Sequence, residues 1–162
     1  MKKLLIMVLI LAIFIILSAC NHNANVKHKT TEGDNMKNHL SDMRIKLIFG
    51  DQELIVNMYD NPTSREFLDQ LPLTITFNDF ANSEKISVLN KKLTTKNAPI
   101  GCDPSMGDFA YFSPWGNIAL FYGDHDFSNG LIKLGKFESG VEKLKNINGD
   151  FEVTIEKLNT EG

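Results

Sequence analysis

The chain carries two hydrophobic patterns separated by a stretch that has none. An unbroken apolar run extends from Leu4 to Leu17. From Asn21 to Asp42 the sequence NHNANVKHKTTEGDNMKNHLSD is polar, and its few apolar residues recur at neither two nor 3.6 positions. Such a segment buries too little apolar surface to offset its ordering entropy, and it reads as a flexible tether. Alternation begins at Met43. Met43–Phe49 and Glu53–Tyr59 read as half-buried strands around Gly50-Asp51, a two-residue hairpin signal. Asp60–Ser64 is turn chemistry; Thr63 or Ser64 can cap a short helix that presents Phe67, Leu68 and Leu71 on one face and ends at Pro72. Leu73–Phe77 alternates again, and Lys85–Leu89 reads as a strand or edge piece. Ala98–Gly107 is a loop by its Pro and Gly content. Asp108–Phe112 and Asn117–Tyr122 are strands flanking the turn Ser113–Gly116, and Leu131–Glu138 is another. Ser139 caps a helical turn carrying Val141, Leu144 and Ile147, and Phe151–Glu156 is the closing strand. Roughly eight strands and two short helices predict an all-β domain over 43–158, with 159–162 as a tail. Strands this short and numerous close into a barrel or fold into a sandwich, and the pattern alone leaves both open.

Lys2 and Lys3 precede the Leu4–Leu17 run as a positive n-region precedes an h-region. As a helix the run would measure about 21 Å, short of a hydrocarbon core of about 30 Å. It ends in Leu17-Ser18-Ala19-Cys20, which resembles a bacterial lipobox. The resemblance implies that residues 1–19 are a lipoprotein signal peptide and that Cys20, first in the mature chain, carries a diacylglyceryl thioether. The expected partner is then the membrane, reached through a lipid anchor, with the domain on its extracytoplasmic face. The other reading of the run is an uncleaved anchor helix. Residues 20–42 would serve as the tether, with an average reach of about 26 Å.

Charge narrows the partners further. The formal net charge is -3, and loss of the leader with its two lysines brings it to about -5. No Lys/Arg cluster interrupts that balance, so nucleic acid is not an expected partner. Of the two cysteines, Cys20 and Cys102, lipidation would occupy the first and exclude an intramolecular disulfide. The fold must then stand on its apolar core.

The block Gly107-Asp108-Phe109-Ala110-Tyr111-Phe112-Ser113-Pro114-Trp115-Gly116-Asn117-Ile118-Ala119-Leu120-Phe121-Tyr122 resembles the signature of small bacterial cyclophilin-like domains of unassigned function. In that family a G-D-x-A-Y strand leads through P-x-G-N into an apolar strand. Ser128–Lys136 resembles the family's later strand, and Asn61-Pro62-Thr63 and Leu71-Pro72-Leu73 also fit. The resemblance spans about Met43 to Leu158 and implies a closed, roughly eight-stranded cyclophilin-like β-barrel with two short helices. It does not carry prolyl isomerase activity with it. True cyclophilins place an arginine beside a histidine and a phenylalanine on an early strand, and no F-H-R stretch occurs here. Arg65, the last arginine of the chain, falls on the short helix.

Three constellations remain. Gly123–Gly130 is the most polar cluster of the domain; Asp124, Asp126 and Ser128 stand at alternate positions around His125, as at the start of a calcium loop. Asn129 replaces the glycine such a loop requires at its sixth position, and no glutamate stands at the twelfth, so no metal or other cofactor is expected. Cys102 sits beside Asp103, which raises rather than lowers a thiol pKa. Phe109, Tyr111, Phe112, Trp115, Phe121 and Tyr122 crowd one hairpin, and most are core by default. The sharper expectation is a groove for a peptide or small ligand built from Tyr111, Trp115, Tyr122 and His125. The chain then reads as a non-enzymatic binding domain, with a prolyl isomerase or folding catalyst for exported proteins as the alternative.

Overall fold

The computed structural model describes residues 40–158. Strands β1 (Leu40–Phe49) and β2 (Gln52–Tyr59) form the first hairpin, followed by helix α1 (Pro62–Leu68). Strands β3 (Leu73–Phe80) and β4 (Glu84–Val88) come next, then a two-residue β5 (Gly101–Cys102) inside a long loop. The hairpin of β6 (Asp108–Phe112) and β7 (Asn117–Phe121) precedes β8 (Ser128–Asn129), β9 (Leu131–Phe137), a 3-10 turn (Val141–Asn146) and β10 (Phe151–Leu158). Eight strands close into an antiparallel barrel in the order β1-β10-β3-β4-β7-β6-β9-β2, while β5 and β8 pair apart from it. The closed barrel decides between the two architectures that alternation leaves open. Cys20, the apolar run before it and the tether to Glu32 and beyond lie outside the described residues. Among the described residues no helix is long and apolar enough to cross a membrane.

Alternation builds the interior. Ile45, Leu47, Val56, Met58, Phe77, Phe109, Tyr111, Ile118, Leu120, Leu134, Val153 and Ile155 all point into the barrel and are fully buried. Phe67 from α1 and Leu144 from the 3-10 turn belong to the same buried cluster. Helix α1 begins two residues earlier than a Thr63 cap, and three earlier than a Ser64 cap, would place it. Asn61 is the cap: its Oδ1 accepts from the Ser64 N–H at 2.8 Å, and Pro62 occupies the first turn. A proline there fixes a helical φ and gives up an N–H that would have no partner, so the residue before it becomes the cap. The 3-10 turn likewise starts from Gly140, at φ +80°, rather than from a Ser139 side-chain cap.

Strand β4 inverts the expected alternation. Lys85 and Ser87 face inward, whereas Ile86 and Val88 face outward. The Lys85 ammonium sits at the barrel's end, 2.7 Å from Asp79 Oδ1 and 2.7 Å from the Ile147 carbonyl, over the Tyr122 ring. Outward-facing Ile86 therefore needs cover from elsewhere, and a second layer supplies it.

Candidate ligand pocket on the barrel wall

Strand β7 is buried at every position, so it is covered on both faces. Its inner side chains belong to the barrel core. Its outer ones, Ala119 and Phe121, pack with Ala110 and Leu131 in a separate small cluster that Ile86, Cys102 and Phe112 flank. The cover is the loop pair 89–107 and 122–130. Gly101 and Cys102 pair with Asn129 and Ser128, and Gly130 N–H donates to the Ile100 carbonyl at 2.7 Å. A side chain at Gly101 would collide with the Ser128 and Asn129 backbone, so this junction requires glycine.

Two carboxylates fasten the loops. Asp108, fully buried, accepts from Ser105 N–H at 2.8 Å and pairs with Lys133 at 2.7 Å and Lys136 at 3.0 Å. Asp124 Oδ1 accepts from Met106 N–H at 2.9 Å, and His125 N–H donates to the Pro104 carbonyl at 3.3 Å. Asp124 is thus a clip between loops. Among the described residues no group of His, Cys, Asp and Glu is arranged to hold a metal ion.

Between the loops and the barrel wall lies a pocket of about 120 Å³. Phe80, Ile86, Phe112, Trp115, Phe121 and Leu131 give it an apolar lining; Glu84, Asn117, His125 and Ser128 add polar groups. Trp115 stands over the pocket, 53 % exposed, with Phe80 edge-on at 5.4 Å and Phe112 at 5.3 Å between ring centroids. Two polar groups here are unusual. Asn117 is 2 % exposed, and although its Nδ2 donates to the Ile118 carbonyl, its Oδ1 has no partner. Glu84 is 9 % exposed, and burial pushes its carboxyl up to about 7 against the opposing pull of His125.

Of the four residues expected to form a groove, Trp115 and His125 line this pocket and the two tyrosines do not. Tyr111 is fully buried in the barrel, where its hydroxyl accepts from Leu93 N–H at 3.1 Å. Tyr122 also turns inward and donates to Asp79 Oδ1 at 2.6 Å; burial first, and then this hydrogen bond, push its phenol up to about 12. The hairpin alternates, so Tyr111 and Tyr122 fall on the inner face while Phe112 and Phe121 fall on the outer. Cys102 lies half-buried behind the pocket, its Sγ donating to the Leu131 carbonyl at 3.4 Å. Burial pushes its thiol up to about 11, Lys133 opposing and Asp108 and Asp103 adding to the rise, so it is protonated near neutral pH. Both arginines are engaged elsewhere: Arg44 with Glu138 at 3.5 Å and Arg65 with Asp60 at 2.6 Å.

Comparison with known proteins gives a family and a fold. A family model described as the cyclophilin-like family matches residues 47–156. The solution structure of a hypothetical protein from Archaeoglobus fulgidus superposes with a TM-score of 0.56 at 25 % sequence identity, covering 76 % of this chain and 100 % of that one. No curated protein matches the chain.

Proposed function

The chain belongs to the cyclophilin-like family, and on that footing we propose that it is a non-enzymatic binding domain. In this reading a lipid on Cys20 holds the domain at the extracytoplasmic face of the cell membrane. The wall pocket receives one small apolar group of a peptide or small molecule. The observation that carries the binding role is the pocket itself: an aromatic-lined hollow containing a buried side-chain oxygen with no partner. Unsatisfied buried polar atoms cost stability and persist where something else satisfies them. A volume near 120 Å³ suits a single ring or branched side chain; an engineered apolar cavity of about 150 Å³ takes benzene.

Trp115 is the chain's one tryptophan, so its emission reports on this pocket. Titration with short apolar and proline-containing peptides should shift that emission saturably, and Trp115→Ala should weaken binding by about tenfold or more. A flat response across these probes argues against the pocket as a binding site. No arginine reaches the pocket to assist rotation about an X–Pro bond, so a protease-coupled isomerisation assay should give background rates. The anchor is tested separately. Labelled palmitate should enter the wild-type protein in a bacterial host but not Cys20→Ala, and labelling of both would remove the lipid from this reading.

A further inference from the structure

Three charged side chains are buried among the described residues: Asp108, Lys85 and Glu84. Asp108 is neutralised by Lys133 and Lys136, and Lys85 by Asp79. Glu84 has no ion pair and no hydrogen bond to its carboxyl, and it is the one of the three that lines the pocket. Its outward direction follows from the inverted alternation of β4, which turns Lys85 inward. Around it stand Phe80, Phe112, Trp115 and Phe121, whose ring faces are negative and attract a cation. A carboxylate in an aromatic hollow lacks one thing, a positive charge, and among the described residues none stands within bonding reach.

We propose that the pocket binds an organic ammonium: a small apolar group bearing a protonated amine, the amine facing Glu84 and the apolar body against Trp115, Phe80 and Phe112. The assignment rests on the binding reading given above and specifies its ligand. Asn117 Oδ1 offers a second acceptor. Asn117 pairs with Val88 across β4 and β7, whereas Phe121 pairs with Glu84, so the backbones that carry the two acceptors are four residues, roughly 13 Å, apart along the strands. A ligand with a further N–H or O–H remote from its amine would satisfy both. His125 and Tyr122 are the titratable groups whose fields meet Glu84.

The test compares benzylammonium with benzyl alcohol, two probes of similar shape, by Trp115 emission and calorimetry. At about pH 8 benzylammonium should bind at least about tenfold more tightly, and Glu84→Gln should abolish the preference. Equal binding of the two probes, or a preference that survives Glu84→Gln, overturns the ammonium assignment and leaves the binding reading standing. Silence toward both probes and toward the peptides overturns both. If Glu84→Gln does not fold, the wild-type preference between about pH 8 and about pH 5 replaces it. The preference should collapse on acidification in the wild type and in His125→Asn, where Glu84 alone accounts for it; a preference unchanged by pH overturns the assignment.

Discussion

Glu84 enters the fold with an ordinary carboxyl pKa of 4.5 and is driven to about 7 by burial. The folded state then holds its proton more tightly than the unfolded chain does, so stability falls as pH rises between those two values and levels off above. Glu84→Gln removes this dependence. Its Tm should match wild type near pH 4 and exceed it near pH 8 by a few degrees, on the order of 1 kcal/mol after solvent screening; identical pH profiles would show that Glu84 is solvated. Asp79 behaves in the opposite sense. Burial works against its charge, yet hydrogen bonds from Lys85 and Tyr122 hold its carboxyl below the usual range. Its contribution is therefore present above the unfolded pKa and lost on acidification. Lys85→Ala leaves the Ile147 carbonyl without its donor and Asp79 with the Tyr122 hydrogen bond but no ion pair, and urea unfolding should register a loss of about 1–3 kcal/mol, with Lys85→Met nearer the lower end. Glu84 is not conspicuous in the sequence, and Asn117 stands out only as part of the Pro114–Asn117 block, with nothing to mark it as a pocket residue. Each is an outward position on an alternating strand, and alternation says which residues share a face without saying which outward face is later covered.

At the scale of elements, the cap of α1 does two jobs. Asn61 Oδ1 accepts from Ser64 N–H, and its Nδ2 donates to the Lys133 carbonyl at 3.0 Å, tying the helix to β9. Asn61→Ala should cost about 2 kcal/mol by denaturant unfolding, and Asn61→Asp should recover the cap but not the tie. Most barrel strands are legible because their inner faces are continuous series of Ile, Leu, Val and Phe. The pair β5 and β8 is not, since two residues carry no period. That pair nevertheless roofs the pocket, so the part of the site that depends on loop against loop lies beyond periodicity. Trp115 and His125 stand out in the sequence by residue type, a large ring at a turn and an imidazole between carboxylates. Phe80 and Glu84 come from a hairpin that reads weakly because its turn, Ala81-Asn82, uses positive φ without glycine.

The barrel is a closed wall with two thin seams, β3 against β4 and β2 against β9, each of three residue pairs. Strands β2 and β9 pair through only three residues, Val56, Asn57 and Met58 against Phe137, Lys136 and Gly135. A Cβ at Gly135 would stand 2.6 Å from the Asn57 carbonyl oxygen and 2.7 Å from Val56 Cγ1. Gly135→Ala should thus lower stability by about 1–3 kcal/mol, with hydrogen exchange accelerating first in β2 and β9; uniform acceleration across the barrel would place the weak point elsewhere.

The strand order also carries a timetable. Strand β10 lies between β1 and β3, and it is the last barrel strand to be made. While the chain emerges from a ribosome, β1 and β3 wait with neighbouring edges bare until Phe151–Leu158 arrives to fill the gap. Everything upstream can collapse during emergence, but the wall is sealed only by its final eight residues. Until then those two edges offer unpaired backbone to any other strand, and the last eight residues of the wall are what withdraw the offer.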